Sequence, residues 1–407
     1  MAMKTLDTLD YWRFWPVLLL AFFYSANNAL ITIAIPLYFF RQGVAIEWIG
    51  VLTAGQAITY SVSPLLFRKI SEKWSRKKSL VIAMAGTLAC QSIYFFTLAP
   101  PIFLLTRLGE GLAIGLFWPN LQSSISDNTL HDHSKIMSRY NMGWNTGLLA
   151  GYSVGAIFLF IIDIVELIFY VAPFLVLLSC AVALFLFQES QKIDLASSQQ
   201  IREADTSRFQ KRTDLQLTAY HIPALMWIWI IVVFAFSKGG ISFLYPLKSE
   251  IVGFPSFTVY LLTLLSVVMQ LIGTSSATYA SLKNLKRLPL VCIAVLALAL
   301  LLFGATTHYY IFLVLFLMAG FSAGLLYGFA LKLSVSLNMK EHTSKYSGYL
   351  ESLIGLTFLI SPIICGILAI YGIDFVFFLL AGIMALFLIP YLLAMRKFRA
   401  PSDQNPS

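Results

Sequence analysis

The sequence predicts an all-α integral membrane protein whose twelve transmembrane helices form two pseudo-symmetric six-helix bundles. Composition is the first observation, because 59% of the 407 residues are hydrophobic and only 12% are charged, whereas soluble domains carry about 25% charged residues. Hydropathy is the second, since the chain divides into apolar segments of the length that a hydrocarbon core of about 30 Å requires. The third observation is the similarity between the two halves of the chain. Lipid is therefore the expected surroundings of most of this polypeptide.

The apolar segments set the predicted helix boundaries. The first segment follows Lys4 and Arg13, but it is too long for the apolar core of a signal peptide and lacks a clear cleavage site. It is therefore expected to remain as the first spanning helix. The predicted helices are 14–40, 45–67, 79–98, 101–124, 139–162, 164–187, 222–247, 254–279, 288–306, 309–333, 346–371 and 374–395.

A hydrophilic stretch divides these segments six and six. Residues 188–221 are rich in Ser, Gln, Asp and Arg, as expected of a linker between two bundles. The predicted organisation is an N-terminal six-helix bundle at 1–187, a cytoplasmic linker at 188–221, a C-terminal six-helix bundle at 222–395 and a cytoplasmic tail at 396–407.

Basic residues give the predicted orientation. Most of the 28 Lys and Arg residues fall in loops that share one face when the N-terminus is cytoplasmic, with Arg41 and Lys248 as exceptions. We therefore expect a multi-pass protein of the cell (plasma) membrane with both termini in the cytoplasm. This placement accounts for the net charge of +9 without a nucleic-acid partner. The four cysteines lie within apolar runs and form no CxxC pair, so no zinc site or disulfide framework is indicated. No metal and no cofactor are expected.

Short matches recur in the two halves in the same order. Residues 111–118 (GLAIGLFW) correspond to residues 320–327 (GFSAGLLY), and Pro36 corresponds to Pro246. Each pair is separated by about 210 residues, and such a parallel duplication of six-helix halves is a transporter architecture.

At this point the chain resembles the major facilitator superfamily over nearly its whole length. The signature of that family in the loop between helices 2 and 3 is Gly-x-x-x-Asp-(Arg/Lys)-x-Gly-Arg-(Arg/Lys). Residues 68–77 match it with Glu72 in the acidic place and Arg76 in the basic place, but without the two glycines. The resemblance implies that Glu72 and Arg76 belong to a charge relay that holds one conformation, and a solvated basic loop is the alternative. Arg107 followed by Gly111 also fits the fourth helix of the family.

A glycine repeat marks the fifth segment. Gly147, Gly151 and Gly155 recur every four residues, and the run is similar to the helix 5 motif of proton-driven exporters without its Pro and last Gly. Such a smooth stripe lets a neighbouring backbone come close. A hinge or sliding surface between the halves and close packing alone are both open interpretations.

Three charged residues stand out within the predicted helices, because a charge near the bilayer centre costs roughly 2.5–3.5 kcal/mol. Arg107 and Glu110 are three residues apart and can pair on one helical face. Lys238 occupies the position in the seventh segment that Asn28 occupies in the first. In the family, helices 1, 4, 7 and 10 line a central cavity, and the resemblance therefore implies that these residues and Asn27 converge on one.

The resulting hypothesis is a secondary active transporter that moves a small solute by alternating access. Arg107 and Lys238 would hold an anionic or zwitterionic substrate, since a guanidinium fork suits a carboxylate or phosphate. Glu110 would carry a coupling proton, and Glu351 is a second candidate for protonation or gating. The alternatives are a purely structural Arg107–Glu110 pair with Lys238 extending towards the membrane surface, and an interfacial or capping role for Glu351.

Trp118 and Tyr327, which the repeat pairs, are candidates for the substrate route, with simple packing as the alternative. A proton-driven multidrug exporter is the rival within transport. A transporter-derived sensor and a membrane-embedded enzyme are the rivals from other classes. The outside loops are short and their few acids are scattered, so we do not expect an enzyme, and the lack of a GxxxxGK[ST] loop disfavours an ATP-driven pump. The expected partners are a small-molecule substrate, a proton or other coupling ion and the lipid bilayer, with the chain as a monomer.

Overall fold

The computed structural model describes residues 2–67, 73–128, 133–188, 223–280, 282–341 and 345–397, and these ranges are almost entirely helical without any strand. The long helices in them are α1 (Ala2–Arg41), α2 (Ile46–Tyr60), α3 (Arg76–Ser92), α4 (Pro100–Asn128), α5 (His133–Ile161), α6 (Glu166–Ala181), α7 (Ala224–Val252), α8 (Ser256–Tyr279), α9 (Leu288–Ala305), α10 (Tyr309–Glu341), α11 (Lys345–Leu368) and α12 (Ile373–Met395). The interdomain linker predicted at 188–221 lies outside the described ranges except for its first residue, as does nearly all of the predicted tail.

Twelve spans in the described part of the chain are long and apolar enough to cross a membrane, which confirms the predicted number. The predicted second helix, 45–67, differs from the observed one: α2 ends at Tyr60, and a separate turn follows at Ser63–Leu66. Pro64 explains the break, because proline cannot donate a backbone hydrogen bond to a continuing helix. In α4 and α10 the helix runs past the predicted end, since polar residues can continue a helix once it leaves lipid.

Burial separates central helices from peripheral ones. In the most apolar window of α7, 72% of the residues are buried, compared with 33% in α12. Large apolar side chains such as Phe160 and Phe185 are exposed on the outside of the bundles, where lipid would cover them. The helices near the centre of the molecule are therefore those with the fewest lipid-facing residues.

The two bundles pack against each other mainly through α2 with α11 and α5 with α8. Gly50 and Gly366 face each other in the first pair: a Cβ on Gly50 would lie 2.6 Å from the carbonyl oxygen of Pro362 and 3.1 Å from the Cα of Gly366. Only residues without side chains allow two helix backbones to approach this closely.

The sequence repeat has a matching packing pattern inside each bundle. In α4, a Cβ on Gly111 would overlap the carbonyl oxygen of Gln56 in α2. In α10, a Cβ on Gly320 would overlap the carbonyl oxygen of Ser266 in α8. The corresponding glycines therefore make corresponding helix contacts, and the two halves are built alike.

Candidate functional site

A cavity lies among α7, α8, α9 and α10, and Ile33 of α1 completes its wall. Lys238 is the single charged residue that the described structure places in the lining. The polar residues of the lining are Ser237, Lys238, Ser242, Tyr245, Thr263, Ser266 and Gln270.

Lys238 is fixed in this cavity by a neighbour on the next helix. Its ammonium nitrogen donates to the Oε1 atom of Gln270 at 2.6 Å and lies 5.8 Å from the centre of the Phe234 ring. The ammonium group therefore points into the interior and does not extend towards the membrane surface. Gln270 is 2% exposed, and its Nε2 atom has no hydrogen-bond partner in the described structure. Because buried amide donors normally have partners, this end of the cavity offers unused donors to a ligand.

The Arg107–Glu110 pair predicted from the three-residue spacing is formed, with Nη1 and Oε2 2.6 Å apart and both residues buried. Arg107 also donates from Nη2 to Oε1 of Gln56 in α2 at 2.7 Å. Glu110 accepts from the hydroxyl of Tyr94 and, at 3.4 Å, from Nε2 of Gln91 in α3. The pair is the centre of a polar network that ties α4 to α2 and α3 within the N-terminal bundle.

Asn27 extends this network to a fourth and a fifth helix. It exchanges two hydrogen bonds with Gln91, at 2.9 and 3.0 Å, and donates to the backbone oxygen of Ala172 in α6 at 2.8 Å. Asn28 instead accepts from the hydroxyl of Thr32, one turn further along α1, at its backbone oxygen. The side chain of Asn27 therefore forms hydrogen bonds between helices of its own bundle, whereas Asn28 accepts a hydrogen bond within its own helix.

The cavity lining includes Lys238 but none of Asn27, Asn28, Arg107 and Glu110. The repeat shows why Arg107 and Glu110 have no counterpart of like charge in the cavity. Arg107 and Glu110 correspond to Phe316 and Ala319, which do line the cavity in the C-terminal bundle. In the N-terminal bundle that position holds the ion pair with its amide and hydroxyl partners. A direct role of Arg107 in substrate binding stays a prediction.

Glu351 of α11 lies at the contact between the two bundles. One carboxylate oxygen accepts from the hydroxyl of Tyr60 in α2 at 2.9 Å, and the other accepts from Nε2 of Gln122 in α4 at 2.9 Å. Both donors are neutral and both belong to the other bundle. Glu351 therefore joins the two bundles through hydrogen bonds from Tyr60 and Gln122, and not through an ion pair with either of them.

Trp118 and Tyr327 each pack against an aromatic ring at a corresponding position of their own bundle. The Trp118 ring lies 5.5 Å from that of Tyr24, and the Tyr327 ring stacks at 4.8 Å on that of Phe234. Tyr327 also contacts Trp144 of α5 across the bundle interface, with ring centres 5.9 Å apart. Neither Trp118 nor Tyr327 belongs to the cavity lining, so a place on the substrate route stays a prediction for both.

The predicted charge relay can be followed only at its basic residue. Glu72 lies outside the described residues. Arg76 begins α3, where the hydroxyl of Ser75 caps the helix by accepting from the Lys78 amide at 3.2 Å. The Arg76 guanidinium donates from Nη1 to Oδ1 of Asn120 in α4 at 3.1 Å, which links two helices of the same bundle.

The glycine stripe of α5 has two different neighbours. A Cβ on Gly147 would overlap the carbonyl oxygen of Phe22, and one on Gly151 would overlap that of Ala26, both in α1 of the same bundle. A Cβ on Gly155 would overlap the ring of Tyr260 in α8 of the other bundle. Close packing therefore explains the first two glycines, and Gly155 alone of these three faces the second bundle.

One cluster at the bundle interface was not predicted. Arg41, at the end of α1, donates to both carboxylate oxygens of Glu250 at 2.9 and 3.0 Å, and it pairs with Asp163 at 3.4 Å. Ser256 accepts from Arg41 at 2.5 Å and donates to Asp163 at 2.7 Å. We name these four residues the Arg41 cluster. Gly253 shapes it, because its φ of +83° ends α7 in the left-handed conformation and brings Glu250 near the start of α8.

A signal for this cluster was present in the sequence. Arg41 is an exception to the basic-residue pattern, and Asp163 and Glu250 follow helices that end on the same predicted face. Isolated loop acids do not identify their partners, because about 120 and 210 residues separate them from Arg41 and the fold alone brings them together.

Comparison with known protein families identifies one family. A family model described as Major Facilitator Superfamily matches residues 17–304 and 283–407. The Staphyloferrin B transporter of Staphylococcus aureus is 26% identical over 110 residues, a match that spans 27% of this chain and only 26% of that protein. Among solved structures, the nucleoside transporter NupG is similar with a TM-score of 0.73 at 13% identity, over 94% of this chain and 99% of that chain.

A second solved structure is similar to the same extent. It is a bacterial homologue of the human lysosomal transporter Spinster in an inward-facing and unoccupied conformation, with a TM-score of 0.72 at 14% identity, over 97% of this chain and 99% of that chain. At such identities the likeness shows the fold.

Proposed function

Because this chain belongs to the major facilitator superfamily, we propose that it is a secondary active transporter that moves a small anionic or zwitterionic solute by alternating access. The observation that carries the proposal is Lys238. It is the only charge that the described structure places in the wall of an internal cavity, and it lies beside a buried amide with an unused donor. A half-buried cation of this kind is stabilised by a negative partner, which the solute would supply.

The cavity also bears on the rival drug-exporter function. A cationic drug inside the membrane needs a negative group to compensate its charge. Among the described residues, no Asp or Glu lines the cavity. The lining thus favours an anion over a cation.

Alternating access requires that contacts between the bundles break on one face at a time. The Arg41 cluster closes the face opposite the chain ends, and Glu351 joins the bundles on the α2–α11 side through Tyr60. We take the Arg41 face to be extracellular and both termini to be cytoplasmic, in the plasma membrane, as the basic residues indicate.

Proton coupling is assigned to Glu110 and Glu351. Protonation of Glu110 would remove the negative partner of Arg107 in a buried pair, and such a loss is costly for the charge left behind. Protonation of Glu351 would weaken an acceptor that holds two donors of the other bundle. Protonation of either residue would therefore change the contacts between helices, which couples proton binding to the conformation of the protein.

The proposed function is tested by counterflow of labelled solutes in proteoliposomes, because only a carrier exchanges solute without net energy input and a sensor or enzyme does not. The panel contains anions, zwitterions and cations, with staphyloferrin B included because of the relative's name. Exchange of an anion or zwitterion is expected. Exchange restricted to cations would refute the assigned charge preference.

Lys238→Gln is the decisive variant, with Lys238→Arg as its matched control. A hydrogen bond to a charged group contributes about 1.5–3 kcal/mol, so the Gln variant is expected to bind an anionic solute roughly 10- to 100-fold more weakly. The Arg variant keeps the charge and should retain part of the affinity. Equal affinity in the Gln variant and the parent protein would contradict the role of Lys238.

A further inference from the structure

We propose that the cavity among α7, α8, α9 and α10 binds a hydroxylated monocarboxylate, whose carboxylate is held by Lys238 and Gln270 together. The proposal rests on the proposed function and narrows its substrate to one chemical class. It is carried by the donors, the acceptors and the charge balance of the lining.

The donors lie side by side on two neighbouring helices. Because Lys238 of α7 donates to Oε1 of Gln270 in α8 at 2.6 Å, the ammonium group and the amide group are adjacent. The ammonium carries three hydrogens and the amide nitrogen two, and Nε2 of Gln270 uses neither of its own in the described structure. Two adjacent donors, one of them charged, match the two oxygens of one carboxylate.

The charge balance limits the ligand to one negative charge. Lys238 supplies one positive charge, and the described structure places no acidic group in the lining. A dicarboxylate would therefore bring one uncompensated charge into a buried site, and a zwitterion would bring an ammonium group without an acidic partner. A monoanion leaves no charge unpaired.

Two hydroxyl groups of the lining are arranged as acceptors. Ser237 donates to the backbone oxygen of Phe234 at 3.0 Å, and Thr263 donates to that of Val259 at 2.8 Å. With their hydrogens committed to their own helices, these two oxygens can only accept from a ligand. In a ligand with one ionised carboxylate, hydroxyl groups are the donors that can bind the Ser237 and Thr263 oxygens.

The remaining wall accommodates the carbon skeleton. Leu296 of α9, and Phe316 and Ala319 of α10, give one side of the cavity an apolar surface. The repeat places Arg107 and Glu110 at the positions of Phe316 and Ala319 in the other bundle. Apolar residues at these two positions keep the cavity from having a second cation or an acid.

The test uses purified protein and a panel of six-carbon compounds that differ in one property at a time. Gluconate has one carboxylate and hydroxyl groups, sorbitol lacks the carboxylate, hexanoate lacks the hydroxyl groups, and glucarate has a second carboxylate; glycerate is a shorter member of the proposed class. Binding is measured as the rise in melting temperature with ligand concentration. Gluconate or glycerate is expected to bind at least about tenfold more tightly than the other three.

Gln270→Glu tests the carboxylate clamp, because it places a negative charge beside Lys238 with almost no change in size. Gluconate or glycerate is expected to bind at least about tenfold more weakly, and sorbitol is expected to bind no more weakly than before. Gln188→Glu adds the same charge at an exposed position after α6, outside the cavity lining, and serves as the matched control. Lys238→Gln, measured in parallel, removes the cation without adding an acid.

The outcomes separate this proposal from the function on which it rests. Equal or tighter binding of sorbitol, hexanoate or glucarate, or no binding of gluconate and glycerate, would overturn the ligand class. Undiminished acid binding by the Gln270→Glu protein would overturn the clamp. Binding of the proposed class without counterflow in proteoliposomes would instead refute the transport function and leave the ligand class standing.

Discussion

The buried Arg107–Glu110 pair shows, at the scale of single residues, how a charge is kept inside the membrane. Each partner has further hydrogen bonds, Arg107 to Gln56 and Glu110 to Tyr94. These hydrogen bonds offset part of the cost of burying the two charges, although Nε of Arg107 has no partner among the described residues, and the removal of one member of such a pair is destabilising by about 3–5 kcal/mol. The same arrangement therefore suits both a structural pair and a proton-controlled switch, and variants must separate the two roles.

Glu110→Gln is expected to lower the melting temperature, because Arg107 loses its buried counter-ion. The double variant Arg107→Gln/Glu110→Gln removes both charges and should regain much of that stability. If Glu110 carries the coupling proton, both variants lose solute accumulation driven by a pH gradient in vesicles while counterflow continues. Unchanged pH-driven accumulation in the double variant would remove Glu110 from the coupling mechanism and leave a structural pair.

Glu351→Gln is expected to abolish accumulation driven by a pH gradient and to leave counterflow active. The reason is that glutamine keeps the size and an acceptor for Tyr60 but cannot take up the proton. Tyr60→Phe is the matched control, since it removes one hydrogen bond of Glu351 and keeps the carboxyl group. Accumulation by the Glu351→Gln protein at the rate of the parent protein would contradict the assignment.

Charged residues were found from the sequence more readily than their neutral partners. The Arg107–Glu110 pair followed from a three-residue spacing on one helix, and Lys238 was singled out because charges in apolar segments are expensive. Gln270 was not singled out, although it positions Lys238, because an amide in an apolar run gives little signal. Its partner lies on another helix, and only the fold shows that the two meet.

At the scale of helices, hydropathy predicted the twelve spans because lipid imposes one length on all of them. It could not predict which helices touch, since lipid-facing and helix-facing residues are both apolar. Glycine gave partial information: the stripe of α5 predicted a close neighbour but not that α1 faces Gly147 and Gly151 while α8 faces Gly155.

The α5 glycines make a prediction that compares two interfaces. Gly151→Ala is expected to lower the melting temperature, at a typical overpacking cost of about 1–3 kcal/mol, because its Cβ would overlap the α1 backbone. Gly155→Ala should mainly change the rate of counterflow, since it alters the contact between the bundles at Tyr260.

Gly382→Ala in α12 is the control for both, because nothing lies within 4 Å of its added Cβ. Melting curves and counterflow rates of the three variants provide the measurement. A Gly151→Ala protein as stable as the Gly382→Ala protein would show that α1 and α5 are not packed as described.

At the scale of the whole molecule, the Arg41 cluster is the contact that must separate before its face can open. Arg41 and Asp163 belong to the N-terminal half, and Glu250 and Ser256 to the C-terminal half. The Arg41–Glu250 ion pair is partly exposed, with 31% of the Arg41 side chain accessible, so it contributes about 1 kcal/mol or less to the stability of the closed face. Even this small amount changes the ratio of two conformations by up to about fivefold.

Arg41→Ala is therefore expected to shift the population towards conformations open on that face. The shift is measured with Ile33→Cys, which places a thiol in the cavity wall, and a membrane-impermeant thiol reagent applied from the Arg41 side. Labelling should become up to about fivefold faster in the Arg41→Ala protein, and high salt should produce part of this effect in the parent protein by screening the exposed charges. The protein without the Ile33→Cys change reports any labelling of the native cysteines.

Charge exchange provides the control for this last prediction. Arg41→Glu alone places three acids together and should open the face further, whereas Arg41→Glu/Glu250→Arg restores opposite charges across the same interface. Slow labelling is expected to return in the double variant because the ion pair, and not the identity of either residue, joins the bundles. If labelling stays fast there, or never rises in the Arg41→Ala protein, the face is closed by the α2–α11 and α5–α8 packing alone, and Gly50, Gly366 and Gly155 become the residues that control opening.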